Sequence, residues 1–329
     1  MDYNVGHPTS QPIGEDVVFR EKEFHVDPEF STGDATVSND EAEFFKAKGY
    51  LVKRGLIDEP EVFRQVVDCI WDSVPRDIIQ RDDPASWLDA PHEQWTDEDA
   101  ESVGLFASNN WKLRSRGADG IGTESFLVDG VANHPKMRAV VESFIGRPVQ
   151  STNRVRGIYC IFPKPPSALP QYGVHADYMA ANLSAMVVAA PMPANSGGFT
   201  VWPGSHRRLH PFWDTCYGST IDTSNGDGYA RERDAILREV APVEFSGEAG
   251  DVIFWHPRLL HSGGTNHSAK WDRPIVRMIV PCDFQRADRG YFDDLQYGPG
   301  PDYQWWIDTR NFHGDEAPTP DNLWNEWAI

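Results

Sequence analysis

Apolar positions recur at helical spacing in the first half of the chain and as short runs in the second. Phe44, Phe45 and Tyr50 give an apolar side to a helix that opens at Ser38-Asn39-Asp40-Glu41, where Ser38 or Asn39 can cap it. Gly49 ends that helix, and Tyr50-Leu51-Val52 reads as a short strand. Phe63, Val66, Val67 and Ile70 form the buried stripe of a second helix over 59–71, which Pro75 stops. A third helix fits 134–144 and closes at Gly146. From about residue 150 the pattern changes. Apolar runs separated by Gly and Pro fall at about 154–162, 183–190, 198–202, 251–255 and 275–280. Short strands at irregular spacing predict a sandwich or barrel. Residues 229–239 read as a helix within an insertion at 206–240, and 76–131 reads as acidic and loop-rich. Residues 1–38, rich in Pro, Gly, Asp, Ser and Thr, form an extended arm. Residues 39–329 then make one domain: helices first, an antiparallel β core at about 150–284, and an aromatic tail at 290–329 with Trp305, Trp306, Trp324 and Trp327. No long linker, internal repeat or low-complexity tract divides it.

Composition narrows the function classes. The 329 residues hold 50 acidic against 30 basic side chains, a formal charge of −20. Such a chain repels phosphate backbones, so nucleic acid is not the expected partner. No window approaches the roughly 18 consecutive apolar residues of a membrane span. Met1-Asp2-Tyr3-Asn4 lacks the basic and apolar regions of a secretory signal. Cys69, Cys160, Cys216 and Cys282 are far apart and form no CxxC pair, which reads as reduced thiols in a cytoplasmic protein.

The candidate chemistry lies in Val174-His175-Ala176-Asp177-Tyr178. On an extended chain, positions i and i+2 point the same way, so His175 and Asp177 can offer an imidazole nitrogen and a carboxylate oxygen to one ion. The best candidate for a third ligand is His261, in Leu259-Leu260-His261-Ser262-Gly263-Gly264. Two histidines and a carboxylate can hold one face of a ferrous ion and leave positions open for co-substrate and dioxygen. His25-Val26-Asp27 repeats the spacing. It lies in the arm without strand pattern or a distal His, and reads as solvated.

Several motifs occur in order around these residues: His175-Ala176-Asp177, Asn195-Ser196-Gly197-Gly198-Phe199, Pro203-Gly204-Ser205-His206, Gly250-Asp251-Val252-Ile253-Phe254-Trp255-His256, and His261-Ser262-Gly263-Gly264-Thr265-Asn266 with Arg273 downstream. With the opening Glu43-Phe44-Phe45-Lys46-Ala47-Lys48-Gly49-Tyr50-Leu51-Val52, the set resembles the phytanoyl-CoA dioxygenase family of iron(II)/2-oxoglutarate oxygenases over about 40–284. The resemblance implies a mainly β fold with flanking helices, a double-stranded β-helix (jelly roll, cupin-like). It implies Fe(2+), with 2-oxoglutarate and O2 as co-substrates, hydroxylation of a small molecule, and succinate and CO2 as co-products. Related halogenases carry a small residue where Asp177 stands, which favours hydroxylation; desaturation, epoxidation and ring formation use the same ligands.

An Arg after the distal His is implied as the anchor of the far carboxylate of 2-oxoglutarate, because a buried carboxylate needs a fixed cation. Arg273 and Arg277 differ by four, so strand alternation aims both at one face; Arg273 is preferred and Arg277 is the alternative. Ser262 and Asn266 could bond the co-substrate or only close a turn. Tyr159 and Tyr172 could donate to it or belong to the core. Met186 stands where many relatives carry Trp. His206 reads as structural, and His256, out of phase with a metal-facing strand, is not a ligand. The basic run His206-Arg207-Arg208 could meet an anionic substrate, whereas Trp305-Trp306 reads as core. Two other readings stay open: a cupin-type dioxygenase without 2-oxoglutarate, and a binding jelly roll without turnover. Substrate and oligomeric state are not encoded in these motifs.

Overall fold

The computed structural model describes residues 31–88, 103–106, 110–114, 120–165, 173–177, 182–212, 226–288, 319–325 and 327–329. Tyr172, Cys216, Trp305, Trp306 and the His25/Asp27 pair lie outside them, as does most of the predicted arm. Among the described residues, four helices have ten or more residues: α1 (Asn39–Lys48), α2 (Pro60–Ser73), α3 (Pro135–Ile145) and α4 (Gly226–Glu239). Ser38 is the cap of α1: its hydroxyl accepts from the Glu41 N–H while the Glu41 carboxylate accepts from the Ser38 N–H, a capping box. Gly49 ends α1 at φ 84°, a left-handed conformation that glycine adopts without strain.

The strands are β1 (Ser31–Thr32), β2 (Tyr50–Lys53), β3 (Val103–Phe106), β4 (Asn110–Arg114), β5 (Gly157–Ile161), β6 (Leu183–Val188), β7 (Phe199–Val201), β8 (Val243–Phe245), β9 (Val252–Trp255), β10 (His261–Gly263) and β11 (Arg277–Phe284). They form an eight-stranded sheet in the order β1-β2-β9-β6-β11-β5-β4-β3 and a three-stranded sheet in the order β10-β7-β8. Every pairing is antiparallel except the short β1–β2 pair. The two sheets face each other, with the Phe199 ring of the small sheet 4.6 Å from Trp255 of the large one. This is the jelly-roll arrangement, mainly β with flanking helices. The β3–β4 hairpin adds two strands to the stretch read as acidic and loop-rich, 76–131: at four and five residues they are too short to show a clear period, and β4 pairs along β5.

Helices α1, α2 and α3 cover the large sheet, and one hydrophobic core runs through Phe45, Leu51, Val66, Phe144 and Phe254. Trp324, Trp327 and Ile329 of the tail pack against it: the two indoles lie 6.1 and 5.3 Å from Phe45, and His256 stacks on Trp327 at 5.3 Å. Among the described residues, Cys69, Cys160 and Cys282 are free thiols. No helix among them is long and apolar enough to cross a membrane.

At the edge of the core, fully buried Lys53 donates to Glu41 at 2.6 Å and to the Thr36 carbonyl at 2.7 Å. Removing the ammonium strands the Glu41 carboxylate in a dry site. Lys53→Met is therefore expected to destabilise the fold by about 3–5 kcal/mol in urea unfolding.

Candidate active site

His175 and His261 are brought together by a β-bridge outside the named ladders: the His175 N–H donates to the His261 carbonyl at 3.0 Å and the reverse bond is 2.8 Å. Asp177 is held one step further on, its N–H donating to the Pro257 carbonyl at 2.9 Å. His175, Asp177 and His261 each present a ligand atom to a common point, all within 4.8 Å of one another. The Asp177 Oδ1 lies 3.8 Å from His175 Nε2 and 3.5 Å from His261 Nε2.

The imidazole tautomers follow from their other nitrogens. His175 Nδ1 lies 2.6 Å from the Gly173 carbonyl, and His261 Nδ1 lies 2.8 Å from the Leu259 carbonyl. A carbonyl oxygen can only accept, so both Nδ1 atoms carry hydrogen and both Nε2 lone pairs are left for an ion. Burial would raise the Asp177 pKa, but Arg156 and the two histidines outweigh it and hold the carboxyl well below the usual range. Two imidazoles and one ionised carboxylate, with no thiolate, suit a borderline divalent ion such as iron(II).

A cavity of about 440 Å³ opens on His175 and His261. Its walls include Lys112, Tyr159, Met186, Phe199, Trp255, Ser262 and Arg277. Arg277 is the first residue of β11 and is buried. Its Nε donates to the Gly197 carbonyl at 2.9 Å, while its Nη1 has no hydrogen-bond partner. Burial pushes its pKa down to about 10, still a cation at neutral pH. A buried guanidinium nitrogen without a partner is costly unless an anion completes it, so the site fits a carboxylate. The turn that offers the Gly197 carbonyl is itself pinned: Glu244 accepts from the N–H groups of Asn195 at 2.9 Å and Gly198 at 2.7 Å. Gly198 is obligatory there, since a Cβ would sit 2.3 Å from the Phe245 carbonyl oxygen.

The other expected residues divide. Tyr159 and Ser262 line the cavity; the Ser262 hydroxyl donates to the Gly263 carbonyl at 2.9 Å. Arg273 does not reach it. It sits exposed in a bend before β11, where strand alternation has not begun, and of the two arginines Arg277 is the one that lines the cavity. Asn266 is buried but turned away: its amide donates to the carbonyls of Ile161 and Ile275 at 3.0 and 2.8 Å, closing a loop. His206 is buried and bonds the Lys46 carbonyl through Nε2 at 3.0 Å. His256 packs in the tryptophan cluster.

Lys112, Lys164, Trp255 and Arg156 line the cavity and carried no site expectation. Lys112 lies 4.7 Å over the Tyr159 ring, a cation–π contact. Lys164 and Trp255 line the wall, and the buried Trp255 Nε1 has no partner. Arg156 donates to Asp177 itself, at 3.0 Å. A charged residue entering the apolar run at 154–162 was the available signal for Arg156; nothing local marked the others.

The family model described as Phytanoyl-CoA dioxygenase (PhyH) matches residues 45–275. The chain belongs to the phytanoyl-CoA dioxygenase family. Among curated relatives, the peroxisomal phytanoyl-CoA dioxygenase of Homo sapiens is 25% identical over 174 residues, covering 48% of this chain and 46% of that protein. The chain thus matches about half the length of that curated relative. Among solved structures, EctD from S. alaskensis, determined with 2-oxoglutarate and 5-hydroxyectoine, is 16% identical, with a TM-score of 0.49 covering 91% of this chain and 93% of that one. The non-heme alpha-ketoglutarate-dependent carbocyclase SnoK from nogalamycin biosynthesis is 20% identical, with a TM-score of 0.44 covering 78% and 88%. The family match contains all three residues of the triad, although Arg277 lies just beyond its end.

Proposed function

We propose that this member of the phytanoyl-CoA dioxygenase family is an iron(II)/2-oxoglutarate-dependent oxygenase that hydroxylates an unactivated C–H bond of a small molecule. The observation that carries the reading is that His175 and His261, grouped with Asp177 in one triad, share a cavity with a buried Arg277 whose Nη1 lacks a partner. His175 Nε2, His261 Nε2 and Asp177 Oδ1 would hold the iron. Arg277 would bind the far carboxylate of 2-oxoglutarate, with Tyr159, Lys112 and Ser262 on the surrounding wall. The bound iron, with 2-oxoglutarate and O2, supplies the oxidising power, and succinate and CO2 are the co-products. The chain's own tasks are to fix the ligand atoms, to orient the two substrates and to keep water out with Met186, Phe199, Trp255 and Ile279.

Asp177 supports hydroxylation over halogenation, because its carboxylate fills the position a halide would need. A cupin-type reaction without 2-oxoglutarate would give Arg277 no anion to bind, which weighs against it. The test is anaerobic addition of iron(II) and then 2-oxoglutarate while recording the visible spectrum. A weak band that needs both additions and vanishes in His175→Ala is expected. Iron binding without any such band would favour the cupin-type or binding-protein readings, and no iron binding would overturn the metal site.

A further inference from the structure

The Asp177 carboxylate has two oxygens in different surroundings. Oδ1 faces the two histidine Nε2 atoms, whereas Oδ2 accepts from Arg156 Nη2 at 3.0 Å. Arg156 does not move freely. Its Nε and Nη2 make a fork to Asp283, at 2.7 Å to Oδ2 and 2.6 Å to Oδ1, and its guanidinium lies 5.9 Å from the Trp255 ring centre. Asp283 Oδ1 also accepts the Ser184 hydroxyl at 2.8 Å, and Asp283 and Ser184 are register partners in the β11–β6 ladder. The whole relay is buried, and it ties a ligand outside the large sheet to two of its central strands.

We propose that Arg156, held by Asp283 and Ser184, is a positioning residue that keeps Asp177 a one-oxygen ligand. The inference rests on the iron/2-oxoglutarate reading for its purpose. A facial triad leaves three positions open, and a chelating co-substrate together with dioxygen needs all three. A carboxylate free to rotate could bind through both oxygens and take one of them. Arg156 removes that choice by engaging Oδ2 with a charge-assisted bond. Stability alone does not account for the arrangement: Asp283 already neutralises Arg156, and buried ion pairs add little net stability. Residues just behind metal ligands commonly set ligand orientation in this way.

The test compares the wild type with Arg156→Gln/Asp283→Asn, which removes the two buried charges together, and with Arg156→Lys, which keeps the charge but loses the fork. Cobalt(II) serves as the probe, because its visible absorption reports coordination number without turnover. The expected result is a changed cobalt spectrum in both variants, metal affinity about 10–100-fold weaker, and a 2-oxoglutarate band reduced beyond the loss of metal. A folded variant with the wild-type cobalt spectrum and wild-type 2-oxoglutarate affinity would overturn the proposal. If the double variant does not fold, Arg156→Lys decides by the same readings. If wild-type protein binds cobalt yet gives no 2-oxoglutarate band when loaded with iron(II), the functional reading has failed, whereas the cobalt comparison still judges the role of Arg156.

Discussion

Asp177→Ala is expected to reduce turnover to background and to weaken iron(II) binding by at least about 100-fold, since removing residues merely behind a metal ligand typically costs 10–100-fold. The carboxylate is the one anion among the three ligands, and it is fully ionised in its buried setting. Two neutral imidazoles remain, which hold a divalent ion far less tightly than they do with a charged oxygen donor. The fold should survive. Arg156 keeps its fork to Asp283, so no buried cation is left alone, and Asp177 contributes one backbone N–H to the Pro257 carbonyl that alanine retains. Equilibrium dialysis with iron and succinate formation measure the two effects separately. Wild-type iron affinity in Asp177→Ala would place the metal elsewhere.

Arg277→Met should act on a different step. The charge pair it would form with the far carboxylate of 2-oxoglutarate is dry, and truncating one partner of such a pair costs about 2–5 kcal/mol, roughly 30- to 5,000-fold in dissociation constant. Iron binding is expected to stay unchanged, because Arg277 bonds the Gly197 carbonyl and no ligand of the triad. The apparent KM for 2-oxoglutarate should therefore rise steeply. Arg273→Ala is the matched control. That side chain is exposed in the bend before β11, and its loss should leave 2-oxoglutarate affinity within a factor of about two, as for other surface changes. Titration of 2-oxoglutarate into anaerobic iron-loaded protein reads both variants. Equal affinities for Arg277→Met and the wild type would remove the anchor from this position.

Local sequence carries local geometry, and that is why the helices and most strands were legible. Ser38 and Glu41 make a capping box and Gly49 a left-handed stop because each acts on backbone within four residues. The paired His175 and Asp177 were legible for the same reason, since i and i+2 share a side on any extended segment. The identical spacing at His25 and Asp27 shows the limit of the rule: spacing alone does not separate the two, and the surrounding strand pattern and a distal His did.

The remaining decisions belonged to the tertiary structure. Arg273 and Arg277 have the same parity, and the choice between them depends on where β11 begins, which its pairing with β5 and β6 sets. Asn266 flanks the distal His in sequence, yet the carbonyls of Ile161 and Ile275 draw its amide away from the cavity. Asp283 and Ser184 come from two different strands and Arg156 from the residue just before a third, β5, so the three meet only when the large sheet is assembled. A chain's own pattern determines which residue types stand on one face of one element. Which faces meet, and therefore which cation finds which carboxylate, is settled by burial and pairing energies spread over residues far apart in sequence.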